Sequence, residues 1–213
     1  MTRKVFWEDP YRDRLETRVA RVEGDDVFLA ATILYAFSGG QESDAGTIAG
    51  RSVLAARKEG RDIRYTLAAG HGLAAGDAVS GVLDWPRRYR LMRLHFAAEI
   101  VLELVYRHLG PVEKIGAHIG ETKSRLDFLM AASVGPHLPM LAAEAAALVA
   151  ADRPIVSRFS DEANQRRTWE VEGFGKVACG GTHLRRTGEV GALRLKRDNI
   201  GKGKERIEIY LAD

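Results

Sequence analysis

The strongest constraint on the fold is a change of hydrophobic period at Asp84-Trp85-Pro86. Upstream, short apolar runs alternate with polar residues and are punctuated by glycines at 39, 40, 46, 50, 60, 70, 72, 76 and 81. Downstream, Leu91, Leu94, Ala98, Leu102, Val105 and Leu109 recur at the spacing of a helix. Strand and helix present their side chains with different periods, so one sheet cannot run through this point. Asp84 suits an N-cap, Pro86 suits the first turn, and Gly110-Pro111 stops the helix.

Alternation predicts paired strands over 17–22 and 26–34, with Glu23-Gly24-Asp25 as their turn. Further strands are expected at 46–54, 63–67 and 78–84, a spacing that suits a small barrel. Beyond the helix, strands are expected at 114–119 and 123–129, a helix at 139–151, and a short strand at 154–157. Segments 168–177 and 190–211 read as strands flanking a loop at Cys179. The fold class is therefore α+β: a small β-barrel domain over 1–84, then an α+β domain with an antiparallel sheet over 85–213.

The single cysteine excludes an internal disulfide framework and points to a reducing compartment. Residues 1–10 lack the apolar run of a signal peptide, and the nearest approach to a membrane span, 139–151, is short and carries Glu144. A cytoplasmic protein with no membrane association is expected. The net charge of +3 is mild, but Arg87, Arg88, Arg90 and Arg93 crowd one segment, and Lys196, Arg197, Lys202, Lys204 and Arg206 another. Such clusters either neutralise phosphates or form solvated faces balanced by nearby acids.

Two short pairs carry metal-binding chemistry: His95-x3-Glu99 and Cys179-x3-His183. At i and i+4 of a helix, His95 and Glu99 share one face with about 6 Å of rise between them. Two imidazoles, a thiolate and a carboxylate suit zinc, and Gly180-Gly181 allow a tight loop around the ion. The plainer alternative is a buried free cysteine among unrelated histidines. His71, His108, His118 and His137 show no comparable pairing. The run from Thr32 to Gln41 carries an apolar segment into Ser38-Gly39-Gly40-Gln41, where the backbone could approach a ligand closely. Gly201-Lys202-Gly203-Lys204 lacks the spacing of a phosphate-binding P-loop.

Taken together these residues carry a resemblance. Ser38-Gly39-Gly40-Gln41 with the preceding Thr32 resembles the glycine-rich motif of the alanyl-tRNA synthetase editing region. Asp84-Trp85, Arg87-Arg88, Met92-Arg93-x-His95, the stretch 123–128, the Cys179-x3-His183 loop and the basic terminal strands are similar to its editing core. The likeness covers nearly the whole chain, with nothing of an aminoacylation domain, so the chain is identified as a member of the free-standing AlaX family in its medium-length form.

That resemblance implies a trans-editing, ATP-independent aminoacyl-tRNA deacylase. It would hydrolyse the ester of mischarged tRNA(Ala), chiefly Ser-tRNA(Ala) and also Gly-tRNA(Ala), at one zinc ion per chain. The implied zinc ligands are His95, Cys179 and His183, with Glu99 where the family has a second histidine. The ion would then be held by four side chains, or by three and a water. The expected catalytic groups are His95, Gln41 and Glu99, the last as a switchable ligand or as a base behind the ligands because it departs from the family's histidine. The implied amino-acid pocket comprises Thr32, Ser38, Gly39, Gly40 and Gln41. Arg87, Arg88, Lys202 and Lys204 would face the acceptor stem of tRNA(Ala). Two other readings stay open: a zinc-stabilised tRNA-binding module without catalysis, and a deacylase for another aminoacyl ester.

Overall fold

The helix expected from the periodicity forms where it should. In the computed structural model, which describes residues 1–212, α1 runs over Trp85–Leu109. Asp213, the last residue of the expected second domain, lies outside the described residues. The Asp84 carboxylate accepts the Arg87 N–H at 3.1 Å, capping the first turn, and Gly110 follows the last residue with a φ of 77°. From Leu91 to Val105 only Arg93, Glu99 and Glu103 escape full burial. A helix that is apolar nearly all round belongs inside a core.

Two compact units make up the chain: Met1–Ser38 with Glu42–Arg90, and Gly39–Gln41 with the residues from Leu91 on. In the first unit the strands are β1 (Arg3–Lys4), β2 (Arg14–Glu23), β3 (Asp26–Leu29), β4 (Ala31–Thr32), β5 (Gly46–Ile48), β6 (Arg51–Ser52), β7 (Ala55–Glu59), β8 (Asp62–Thr66) and β9 (Ala78–Leu83). Seven of them form one antiparallel sheet in the order β6-β5-β9-β2-β3-β8-β7, while β1 pairs with β4 in parallel.

The end strands β6 and β7 are separated in the chain by Val53 and Leu54 alone. Val53 N–H bonds to Gly46 O on the β5 side, and Leu54 N–H to Thr66 O on the β8 side, both at 2.9 Å. A two-residue link between opposite ends requires the sheet to curl into a half-barrel. Val19, Val27, Leu29, Ile48, Ile63, Tyr65 and Val79 fill its interior. The stretches expected as single strands at 26–34 and 46–54 are each broken in two. β7 carries no alternating signal of its own: Ala56 is its one fully buried residue, and pairing with β8 places it.

In the second unit follow β10 (Glu113–Ile119), β11 (Ser124–Leu129), α2 (Leu138–Ala150), β12 (Val156–Asp161), β13 (Arg166–Val171), β14 (Gly175–Ala178), β15 (Leu193–Asn199) and β16 (Lys204–Leu211). They build two antiparallel sheets, β10-β11-β16-β15 and β12-β13-β14. Leu126, Phe128, Ile207 and Ile209 line the buried face of the first, and Ser124 Oγ donates to Leu94 O of α1 at 3.0 Å.

The segments expected as strands at 168–177 and 190–211 are hairpins, turning at Glu172-Gly173 and around Gly201-Lys202-Gly203. The short strand expected at 154–157 begins at Val156 and continues to Asp161, held by β13 despite a polar sequence. The fold class stands as mixed α and β with antiparallel sheets. Among the described residues no helix is long and apolar enough to cross a membrane.

Candidate metal centre

The second unit brings the two short pairs together. His95 and Glu99 project from α1 one turn apart, and Cys179 and His183 lie on the loop after β14. That loop is anchored where Cys179 N–H bonds to Arg167 O of β13 at 2.9 Å. Across 84 residues of sequence, Cys179 Sγ lies 3.4 Å from His95 Nε2. His183 Nε2 lies 3.3 Å from the same sulfur. One ligand atom from each of the three residues falls within 4.8 Å of the others.

A tetrahedral ion with Zn–S near 2.3 Å and Zn–N near 2.0 Å sets its sulfur and nitrogen ligands about 3.5 Å apart. The spacing and the donor types both fit a metal ion. Glu99 stands beside the three, its Oε1 3.2 Å from His95 Nε2.

Further partners fix each group. Ser157 Oγ of β12 lies 2.8 Å from His183 Nδ1, so the ring presents Nε2 to the sulfur. Trp169 Nε1–H of β13 donates to Glu99 Oε2 at 3.2 Å, and Phe96 packs edge-on to the same indole. His95 Nδ1 is buried with no hydrogen-bond partner.

Burial opposes the charge on Glu99, but the hydrogen bond and charge of His95, with His183 behind it, outweigh that and bring its pKa to about 2. Burial likewise disfavours a charged His95, yet the adjoining Cys179 sulfur and Glu99 carboxylate raise it to about 10. Burial and the His95 charge push His183 well below its ordinary value. A metal ion held by these donors would compete with protons for them.

The glycine-rich motif contributes directly to this unit. Gly40 adopts a φ of 89°, and a Cβ there would meet Ala117 O at 2.7 Å. Its own carbonyl accepts Ile119 N–H of β10 at 2.8 Å. This docking buries Gln41, whose Nε2 donates to Thr182 Oγ1 at 2.9 Å and whose Oε1 accepts Thr182 N–H at 3.3 Å. The expected reason for Gly180-Gly181 needs correction. Neither residue has a left-handed φ. A Cβ on Gly181 would lie 2.0 Å from His95 Cε1 and 2.7 Å from Gln41 Oε1, so its missing side chain makes room for both.

Thr32, Ser38, Arg87 and Arg88 belong to the first unit. Tyr65 O–H donates to Leu34 O at 2.6 Å, so Thr32 O–H donates to Tyr65 Oη at 2.7 Å. Thr32 Oγ1 also accepts Leu34 N–H at 3.1 Å, which leaves it one lone pair. Ser38 uses its carbonyl to accept Tyr35 O–H at 3.2 Å. Arg87 is paired with Glu42 at 2.7 Å.

Arg88 is not where a tRNA-binding residue must be. Its side chain is 0% exposed, with Nε donating to Asp44 Oδ1 at 2.8 Å and Nη2 to Ile33 O at 2.6 Å. A guanidinium fully enclosed by its own carboxylate is closed to phosphate. Lys202 and Lys204 are exposed at the β15–β16 turn. Ser157, Trp169 and Thr182 touch His183, Glu99 and Gln41, and sequence reasoning does not find them. A lone tryptophan within a polar segment is the one available signal; Ser157 and Thr182 give none.

Residues 167–208 match the family described as the threonyl and alanyl tRNA synthetase second additional domain. The chain is 33% identical over 244 residues to the alanyl-tRNA editing protein AlaX-M of Methanosarcina barkeri, covering 100% of both. It is 28% identical to the AlaX-M protein of Pyrococcus horikoshii, covering 99% of this chain and 98% of that one. It is also 28% identical to the alanine–tRNA ligase of Methanococcus aeolicus, where 97% of this chain aligns with 25% of the ligase.

Proposed function

The chain belongs to the AlaX-M family of alanyl-tRNA editing proteins, and from that premise we propose that it hydrolyses the aminoacyl ester of mischarged tRNA(Ala), chiefly the seryl and also the glycyl ester. The observation that carries this reading is the convergence of His95, Cys179 and His183 within 4.8 Å of one another, beside the Glu99 carboxylate. One zinc ion per chain would be held by these three, with Glu99 as an exchangeable fourth ligand. When bound, it would polarise the ester carbonyl or lower the pKa of a bound water.

An aminoacyl ester is already activated, so what remains for the protein is positioning and proton handling. Glu99 is the one carboxylate beside the three donors, steered by the Trp169 N–H, and would serve as the exchangeable ligand or as a base behind it. Its Oε1, on the His95 side, is the oxygen that would take a proton from an attacking water. Gln41, clamped to Thr182, offers a rigid polar wall next to His95. Alanine is smaller than serine and cannot be excluded by size. Rejection must come from a polar group that gains a hydrogen bond to the serine hydroxyl and stays unpaired against a methyl. The spare lone pair of Thr32 and the Gln41 amide have the chemistry for that discrimination. Arg87, Lys202 and Lys204 are the proposed contacts to the acceptor stem.

The test is deacylation of seryl-tRNA(Ala) by the purified protein, with alanyl-tRNA(Ala) as control and metal content determined on the same sample. Rapid loss of the seryl ester alone is the expected result. Stoichiometric zinc without hydrolysis would instead support a zinc-stabilised tRNA-binding module. Glu99 motivates that alternative, because a fourth protein ligand closes the shell as in structural sites. Hydrolysis confined to another charged tRNA would assign the site to a different ester.

A further inference from the structure

The outward face of the sheet β10-β11-β16-β15 carries a patterned set of charges that the metal centre does not use. The register places Arg125 opposite Glu208 and Glu208 opposite Lys196 in one row, and Asp127, Arg206 and Asp198 in the next. Arg194 and Tyr210 oppose each other in the row on the other side of Glu208. Two of these acids are almost sealed beneath cations: the Asp127 and Glu208 side chains are 8% and 6% exposed.

Asp127 is bonded by Arg206 Nε at 2.6 Å and by Arg125. Glu208 is bonded by Lys123 and Tyr210, with Lys196 Nζ at 3.6 Å. Gly116 of β10 leaves room for this packing, since a Cβ there would meet Asp127 Oδ2 at 3.0 Å. The cations stay in solvent: Lys123 is 40% exposed, Arg125 33% and Lys196 60%. Arg194 lies with its guanidinium 4.4 Å from the Tyr210 ring centre.

Each buried carboxylate thus holds two cations upright. Around Glu208 one positive charge is left over, while beside Asp127 the exposed Asp198, 3.9 Å from Arg206, balances it, and Arg194 adds a further charge. The solvent sees the cations and the one exposed acid of these rows, Asp198, but not Asp127 or Glu208. A surface of this kind binds a spread of phosphates with little reorganisation. It offers unpaired bases little platform, because among the described residues of these rows Tyr210 is the one Phe, Tyr or Trp, and cations flank that ring. We propose that this face is a docking surface for the sugar–phosphate backbone of an RNA duplex, read by charge and shape and not by sequence. The proposal rests on the reading that tRNA is the substrate, and places the acceptor helix against Lys123, Arg125, Arg194, Lys196 and Arg206.

The experiment is fluorescence anisotropy with labelled, uncharged tRNA(Ala) over a range of salt, using the full chain loaded with zinc. The variant is Arg194→Ala/Lys196→Ala, which leaves Glu208 paired with Lys123 and both buried acids covered. Its control is Arg57→Ala/Lys58→Ala, an equal loss of charge from exposed positions on β7. The expected result is a Kd raised roughly tenfold in the first variant, with the slope of log K on log salt reduced by about 1.8, against little change in the control. Asp198→Asn, which removes an exposed acid from the face, should tighten binding.

Equal weakening in variant and control, or an unchanged salt slope, would overturn the proposal. So would a wild-type chain that does not bind tRNA at low salt. Uncharged tRNA keeps this outcome separate from catalysis: a protein that binds through this face but hydrolyses nothing would refute the deacylase reading alone.

Discussion

Adding one methyl group at position 181 would set a carbon 2.0 Å from His95 Cε1, 2.6 Å from His95 Nδ1 and 2.7 Å from Gln41 Oε1. Contacting carbons sit about 3.5–4.0 Å apart, so something must retreat by about 1.5 Å. His95 is 5% exposed on a helix enclosed on nearly every side, and Gln41 is clamped at both ends of its amide. The loop 179–183 is the part that yields, and it carries Cys179 and His183 away from His95. Metal–ligand distances tolerate only about 0.2 Å of error.

Gly181→Ala is therefore expected to weaken zinc binding at least 100-fold and to cost about 1–3 kcal/mol of stability, the usual penalty for overpacking. Gly180→Ala is the matched control, because a Cβ there meets nothing within 4 Å. Chelator competition for zinc, with thermal melts of both variants, makes the measurement. Zinc affinity in Gly181→Ala within threefold of wild type would refute the packing argument, as would equal damage from the two substitutions.

Other substitutions probe the supporting contacts. Ser157→Ala removes the hydroxyl 2.8 Å from His183 Nδ1 and should lower zinc affinity about 10- to 100-fold by chelator titration. Trp169→Phe keeps an aromatic ring against Phe96 but takes the N–H from Glu99; seryl-tRNA deacylation should fall roughly tenfold while zinc content is retained. Asp44→Asn leaves the fully buried Arg88 without its counter-charge and should cost about 3–5 kcal/mol in urea unfolding, and a loss below 1 would contradict the buried ion pair. Thr32→Val deletes the proposed reader of the serine hydroxyl. It should raise the ratio of alanyl to seryl ester hydrolysis by about 10-fold or more, and unchanged selectivity would count against Thr32.

Features set by near neighbours are legible in the sequence. The start of α1 at Asp84-Trp85-Pro86 and its end at Gly110 depend on capping and backbone geometry within one turn, so local residue types determine them. The pairing of His95 with Glu99 follows from helical spacing alone. That Cys179 and His183 belong with them is legible because few residue types bind a metal and this chain carries a single cysteine.

Features set by distant partners are not legible there. Whether Arg88 meets solvent or Asp44 depends on a residue 44 positions away, and no local pattern separates a buried arginine from a surface one. The same holds for Ser157 at His183 and Trp169 at Glu99, joined across 26 and 70 residues by the pairing of β12, β13 and β14. The hairpins within 168–177 and 190–211 read as single strands because polar strands carry no strong alternation; their turns are defined by hydrogen bonds to a partner strand. By itself the sequence determined the elements with local codes and the chemical identity of the residues that gather at the candidate metal centre. Only the tertiary structure decided which polar groups are buried and what holds each one, because burial depends on what the rest of the chain brings to the other side.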